Sequence, residues 1–286
     1  MRTIELAGRH VSLAMEIRYR RKGKVRLMEP IIFERLLPLE GGFNLRDLGG
    51  YPTVGGGHVK RGMLYRSGTM ALLSTADGQS LADLGITTIC DFRRQDERAL
   101  EPTLWAETHG IHLIARDYKE SSGVLLELLK RPDANAVTMR NAMIDLYREI
   151  PYDHAPSYQA MFERLLAGHV PLLFNCSAGK DRTGVAAVLI LHALGVAQDV
   201  ILEDYLLTNR HADFARLLKH KTGVVAALAQ NAPEVVAPVL AVETAYLQAL
   251  FDTLDSRHGS IDTYLDAVLG VGQAERERLR ALLVES

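Results

Sequence analysis

The first periodic signal along the chain is a short alternation. Val11, Leu13, Met15 and Ile17 alternate with Ser12, Ala14, Glu16 and Arg18, and the polar turn Arg21-Lys22-Gly23-Lys24 follows, a pattern compatible with a small β-hairpin. From about residue 41 the pattern becomes that of an α/β domain. Gly41-Gly42 and Gly49-Gly50 bracket Phe43-Asn44-Leu45-Arg46-Asp47-Leu48, and Gly55-Gly56-Gly57 marks a loop before Met63-Leu64-Tyr65. These glycines lack the spacing and the lysine-serine ending of a nucleotide phosphate loop. Ser74-Thr75-Ala76-Asp77 matches a capping box and predicts a helix to about Leu84, which Gly85 stops. Three apolar, β-branched runs, at 86–90, 111–114 and 170–174, predict buried strands. The helices between them predict an α/β fold with a mainly parallel central sheet flanked by helices, whose ligands gather at the carboxyl ends of the strands.

Residues 122–168 read as a long helical insertion. Leu125, Leu128 and Leu129 form one apolar face and Ala142, Met143, Leu146 and Tyr147 another, and Pro151 and Pro156 break the chain before Tyr158 to Leu166. Two expectations attach to this insertion, core-packing helices and a lid over a site, because it is longer than a plain crossover needs. After residue 196 the pattern is wholly helical, with Asp199 capping one segment and further segments near 211–219, 242–256, 261–269 and 273–284. The expected organisation is an extension over 1–40 and a domain over 41–286, whose C-terminal part, 197–286, is helical.

Composition narrows the classes of function. Of 286 residues 48% are apolar and 24% charged, which excludes a disordered chain. With 33 basic against 35 acidic residues, nucleic-acid binding by global charge is excluded too. Residues 1–28 nevertheless carry eight basic and two acidic side chains, a net of +6, which reads as solvated charge. No apolar run has the length to span a bilayer and no secretory signal opens the chain, so the default expectation is the cytoplasm, with secretion lacking a signal peptide left open. The two cysteines, Cys90 and Cys176, provide neither a disulfide framework nor a thiolate metal site, and no histidine spacing supplies one. No metal and no cofactor are expected.

The chemistry gathers where the third strand ends. Phe174-Asn175-Cys176-Ser177-Ala178-Gly179-Lys180-Asp181-Arg182-Thr183-Gly184 runs directly into the apolar helix Val185 to Leu194. Amides of such a strand-to-helix turn, here those of Ser177, Ala178, Gly179 and Lys180, converge on one point, and the helix dipole adds positive potential, forming a cradle for a tetrahedral dianion. The same field favours a thiolate and makes Cys176 the candidate nucleophile. Arg182 has the planar fork that holds two phosphoryl oxygens, and Thr183 can offer its hydroxyl to the departing sulfur. Lys180 adds a cation at the expected pocket rim. Cys90 lies inside a β-branched run with no cation beside it and reads as packing.

These motifs resemble those of the bacterial cysteine-dependent phosphatases of tyrosine-phosphatase type, over roughly residues 41–285. The resemblance rests on Asn44-Leu45-Arg46-Asp47-Leu48-Gly49-Gly50, Leu64-Tyr65-Arg66-Ser67, Asp91-Phe92-Arg93, the loop Cys176 to Gly184 and Asp204-Tyr205-Leu206-Leu207-Thr208-Asn209. It implies hydrolysis of phosphate monoesters through a phosphocysteine intermediate, on phosphotyrosine, often on phosphoserine or phosphothreonine, and in some members on phosphoinositides. It also implies a helical lid. The family usually has histidine before the nucleophile, where this chain has Asn175, an amide that can donate to a nearby carbonyl. The only tryptophan, Trp105, is not followed by the Pro-Asp of a mobile acid loop. Asp181 is the candidate general acid, with a loop-bracing carboxylate paired with Lys180 or Arg182 as the other reading. Asp91 reads as an orienting partner and Arg93 reaches the same sheet edge. Two other functions stay beside phosphatase: a phosphate-reading module without turnover, and a sulfur transferase, whose loop is typically one residue shorter and needs no Asp181.

Overall fold

In the computed structural model, residues 35–37, 39–117, 123–214 and 228–286 are described. The hairpin expected near residues 11–24 and most of the helix expected over 211–219 lie outside the described residues.

Apolar runs buried on both faces build the centre of the domain. The strands, in chain order, are β1 (Arg46–Asp47), β2 (His58–Val59), β3 (Leu64–Ser67), β4 (Thr88–Asp91), β5 (His112–Ala115), β6 (Leu172–Asn175) and β7 (Val284–Glu285). Five of them form one sheet in the order β1-β3-β6-β4-β5. All its pairs are parallel except β1 with β3. The three predicted strands are present, each shifted one or two residues onward. The shift brings Asp91 into register with Asn175 at the end of the ladder, so two polar side chains end up adjacent at the edge where a ligand would sit.

Helices cover both faces. The capping box opens α1 (Thr75–Asp83) as expected: the Ser74 hydroxyl accepts from the Asp77 amide at 3.1 Å, and Asp77 accepts from the Ser74 amide at 3.0 Å. After α2 (Gln95–Leu100), α3 (Leu104–Thr108) and α4 (Gly123–Leu129) come α5 (Ala136–Asp153) and α6 (Ala155–Leu166). Pro151 does not break α5 as expected but lies within its last turn, and the break falls at His154, with Pro156 opening α6. Met139, Met143, Leu146, Tyr147 and Ile150 of α5 recur at helical spacing and are buried together with Tyr158, Met161, Phe162 and Leu165 of α6. These two helices therefore pack into the main core.

The next helix, α7 (Arg182–Ala193), is buried on nearly every side. It is the central helix, fixed between the sheet and the C-terminal helices. Then follow α8 (Gln198–Leu206), α9 (Thr208–His211), α10 (Pro233–Leu240), α11 (Thr244–His258), α12 (Ile261–Leu269) and α13 (Gln273–Leu283). Ala197, not Asp199, occupies the N-cap of α8; Asp199 lies in its first turn, where a carboxylate complements the helix dipole. The helical segments expected after residue 196 do not include α10, which holds Pro238 within it. The departure from the all-helical expectation is β7, which pairs with β2 in a two-stranded sheet. Among the described residues no single helix is long and apolar enough to cross a membrane.

Candidate active site

β6 ends at Asn175 and α7 begins at Arg182, so the loop between them lies at the carboxyl edge of the middle strand of the sheet. The two cysteines have different surroundings. Cys90 sits in mid-strand, and burial pushes its thiol up to about 12, which keeps it protonated and inert. Cys176 is 2% exposed and opens the loop.

The turn of the loop requires a glycine. Gly179 has φ +62°, and a Cβ there would lie 2.5 Å from the Gly68 amide nitrogen and 2.6 Å from the Ser67 carbonyl. This close approach is held from two sides, because Asn44 Nδ2 and Arg66 Nη2 each donate to the Gly179 carbonyl at 2.9 Å. Behind them Arg66 Nη1 meets Asp204 Oδ2 at 2.6 Å, Arg46 Nε meets Asp204 Oδ1 at 3.1 Å, and Tyr51 donates to the same oxygen at 2.9 Å. Burial alone would raise the Asp204 carboxyl, but the two guanidiniums outweigh it and hold the group well below the usual carboxylate range. The motif residues Asn44, Arg46, Arg66 and Asp204 are thus one buried scaffold under the loop. Asp204→Asn leaves two buried cations short of their counter-charge, so it is expected to destabilise the fold by about 3–5 kcal/mol in urea unfolding; a loss below about 1 kcal/mol would disprove this bracing.

Arg182 is fixed by a residue the sequence reading missed. Its Nη1 and Nη2 meet Glu97 at 2.8 and 3.0 Å, Nη1 also donates to the Phe92 carbonyl at 3.1 Å, and the Ser177 hydroxyl donates to Glu97 Oε1 at 2.5 Å. Burial disfavours the Glu97 anion, yet Arg182 and Ser177 hold its carboxyl well below the ordinary range. Glu97 is in the first turn of α2 and also accepts from the Arg94 amide at 2.8 Å. That acidic first-turn position was the one sequence signal for it, and it marks a helix start, not a site. His154 is buried at the α5–α6 junction, and burial first, then the Arg182 cation, lower its pKa to about 3 and keep it neutral.

The remaining predicted residues fall in three groups. Asp181 Oδ1 accepts from the Tyr147 hydroxyl at 2.8 Å and lies 3.1 Å from Lys180 Nζ. Lys180, expected as a cation at the rim, is instead 3% exposed and donates to the carbonyls of Val239 and Ala241 at 2.6 and 3.2 Å. The end of α10 draws it inward, because terminal carbonyls of a helix lack partners of their own. Asp91 and Arg93 form a buried pair at 2.7 Å, and Arg93 spends its other donors on Glu101 and Thr103. Asn175 donates to Asp91 Oδ1 at 3.4 Å, not to a carbonyl as expected. The Thr183 hydroxyl is buried with no hydrogen-bond partner among the described residues.

The profile described as the tyrosine phosphatase family matches residues 37–285. A Cupriavidus necator protein assigned by name to the tyrosine-protein phosphatases is 40% identical over 235 residues, covering 81% of this chain and 83% of that protein. The triple specificity protein phosphatase PtpB of Mycobacterium tuberculosis is 31% identical over 283 residues, covering 86% of this chain and 98% of its own. A tyrosine-protein phosphatase of Nostoc commune is 28% identical over 149 residues, 52% of this chain and 49% of that protein. The sheet, the Cys176–Arg182 loop and its Asn44–Arg66–Asp204 scaffold all fall inside the matched region, and the chain belongs to the tyrosine phosphatase family.

Proposed function

We propose that this tyrosine phosphatase works through a phosphocysteine intermediate on Cys176, and that it accepts phosphoserine, phosphothreonine and phosphoinositides beside phosphotyrosine. The observation that carries the mechanism is the Cys176–Arg182 loop at the start of α7, with the Arg182 fork oriented by Glu97 at 2.8 and 3.0 Å. Backbone amides of Ser177, Ala178, Gly179 and Lys180 and the guanidinium of Arg182 receive the phosphoryl oxygens, whose negative charge the helix start favours. The Cys176 thiolate attacks phosphorus; the S–P bond forms as the P–O bond to the leaving group breaks, and Asp181 passes its proton to the departing oxygen. Water then attacks the phosphocysteine, Asp181 takes the proton back, and the sulfur leaves as a thiolate that the Thr183 hydroxyl stabilises. Asp91, Arg93 and Asn175 act as supports, since their donors are spent on one another and on Glu101 and Thr103.

The wider substrate range rests on similarity to the M. tuberculosis relative, which is named for triple specificity. Quenching in acid during rapid turnover of an aryl phosphate is expected to trap phosphate on the Cys176 peptide, detected by mass spectrometry. Sustained turnover with no phosphocysteine at the earliest quench times overturns the covalent route. Phosphate release from phosphotyrosine, phosphoserine and phosphothreonine peptides and from phosphoinositide micelles tests the range, and release from phosphotyrosine alone removes the broader assignment.

A further inference from the structure

We propose that Tyr147 is a positioning residue for Asp181, and that Tyr205 positions Tyr147 in turn. The proposal rests on reading Asp181 as the general acid, and goes beyond it by assigning which carboxyl oxygen carries the proton.

The geometry is a chain of hydroxyls leading out of the core. Tyr205 donates to the Tyr147 hydroxyl oxygen at 2.7 Å, and Tyr147 donates to Asp181 Oδ1 at 2.8 Å. Tyr147, on α5, is 0% exposed, and Tyr205, on α8, is buried beside it. The Tyr147 ring is fixed on two sides, with centroids of Tyr205 at 6.0 Å and Tyr246 at 5.5 Å, and Tyr246 is itself tied to the Pro238 carbonyl at 2.8 Å. A phenol held this way has no other rotamer to offer its proton from. Burial, with the Asp181 charge beside it, pushes the Tyr147 hydroxyl well above its ordinary range. It therefore stays a donor and never takes part in proton transfer.

The consequence for Asp181 is an asymmetry between its two oxygens. Oδ1 receives the Tyr147 hydroxyl at 2.8 Å and faces Lys180 Nζ at 3.1 Å. Lys180 is an ammonium with donors only. The Tyr147 hydroxyl bond and the Lys180 charge both fall on Oδ1 and make it the acceptor oxygen, so the acid proton resides on Oδ2. As the S–P bond forms and the P–O bond breaks, that proton moves from Oδ2 to the leaving oxygen. In the second step a proton of the attacking water returns to Oδ2. Without Tyr147 the carboxyl can turn about its Cβ–Cγ bond and present either oxygen, and the productive orientation is diluted.

The test is a series of aryl phosphates with leaving groups from activated to poor, plus a phosphoserine peptide, assayed on four forms: the parent, Tyr147→Phe, Asp181→Asn and the double variant. Tyr147→Phe is expected to lower kcat about tenfold for the poorest leaving groups and by less than about twofold for the activated ester, with KM unchanged. In the Asp181→Asn background the same change adds no leaving-group dependence, since the proton it positions is gone. Tyr205→Phe, which leaves the Tyr147–Asp181 bond intact, gives a shallower slope of the same sign, about threefold at the poorest leaving groups, and it carries the test if Tyr147→Phe does not fold. A sloped series for Asp181→Asn with equal losses across the series for Tyr147→Phe and Tyr205→Phe overturns the positioning role and leaves the general acid in place. An equal further loss in the double variant does the same. A flat series for Asp181→Asn overturns the general-acid reading itself, and the role of Tyr147 falls with it.

Discussion

Cys176→Ser is expected to abolish turnover, with a loss of at least about 10⁴-fold in kcat, while vanadate or phosphate still binds. A serine hydroxyl fills the same space at the head of the cradle, so the loop amides, Arg182 and the Glu97 brace keep their geometry. What disappears is the nucleophile, because an alcohol is not ionised at neutral pH. Thiol alkylation makes the same point from the other side. Cys90 is held protonated by burial, at about 12, so a charged alkylating reagent is expected to add once per chain, at Cys176, and vanadate is expected to block it. Appreciable turnover in Cys176→Ser sinks the covalent mechanism. Labelling at Cys90 with activity retained reverses the assignment of the two thiols.

Arg182→Lys is expected to lower kcat/KM by at least about 10²-fold for every substrate, whatever its leaving group. The guanidinium binds Glu97 through Nη1 and Nη2 at 2.8 and 3.0 Å. That fixes the plane of the fork before substrate arrives, so no orientation has to be found during the reaction. An ammonium is a point charge on a flexible stem. It can satisfy Glu97 or the phosphoryl oxygens, but not both with one rigid geometry. A loss under about tenfold would remove Arg182 from the transition state. The pair also has a pH signature. Glu97 is depressed in the folded protein, so its contribution to stability is complete above the ordinary carboxylate range and is lost as pH falls through its lowered folded value. The brace accordingly persists through mildly acidic assays, and an acidic limb in the rate profile there does not come from Glu97.

Much of the molecule is local in origin and was readable as such. The capping box at Ser74, the three buried strands and the loop from Cys176 to Arg182 are contiguous stretches, in which spacing and residue type express backbone geometry directly. Proline misled where its context decided the outcome. Pro151, expected to break the chain, is accommodated within the last turn of α5, because packing of the apolar faces outweighs one lost backbone bond. Side-chain partners far apart in the chain leave no period at all. Glu97 meets Arg182 across 85 residues, Tyr147 meets Asp181 across 34, and Arg66 meets Asp204 across 138. The amino-acid sequence by itself determined the three buried strands β4, β5 and β6, the helix that follows the loop and the residue types within the loop, since hydrophobic periodicity and turn chemistry act over a few neighbouring positions. Only the tertiary structure decided which carboxylate orients the arginine, which phenol faces Asp181, and that Lys180 turns inward to α10 and away from a rim. Those choices depend on burial and hydrogen-bond geometry between elements, which exist only once the chain has packed.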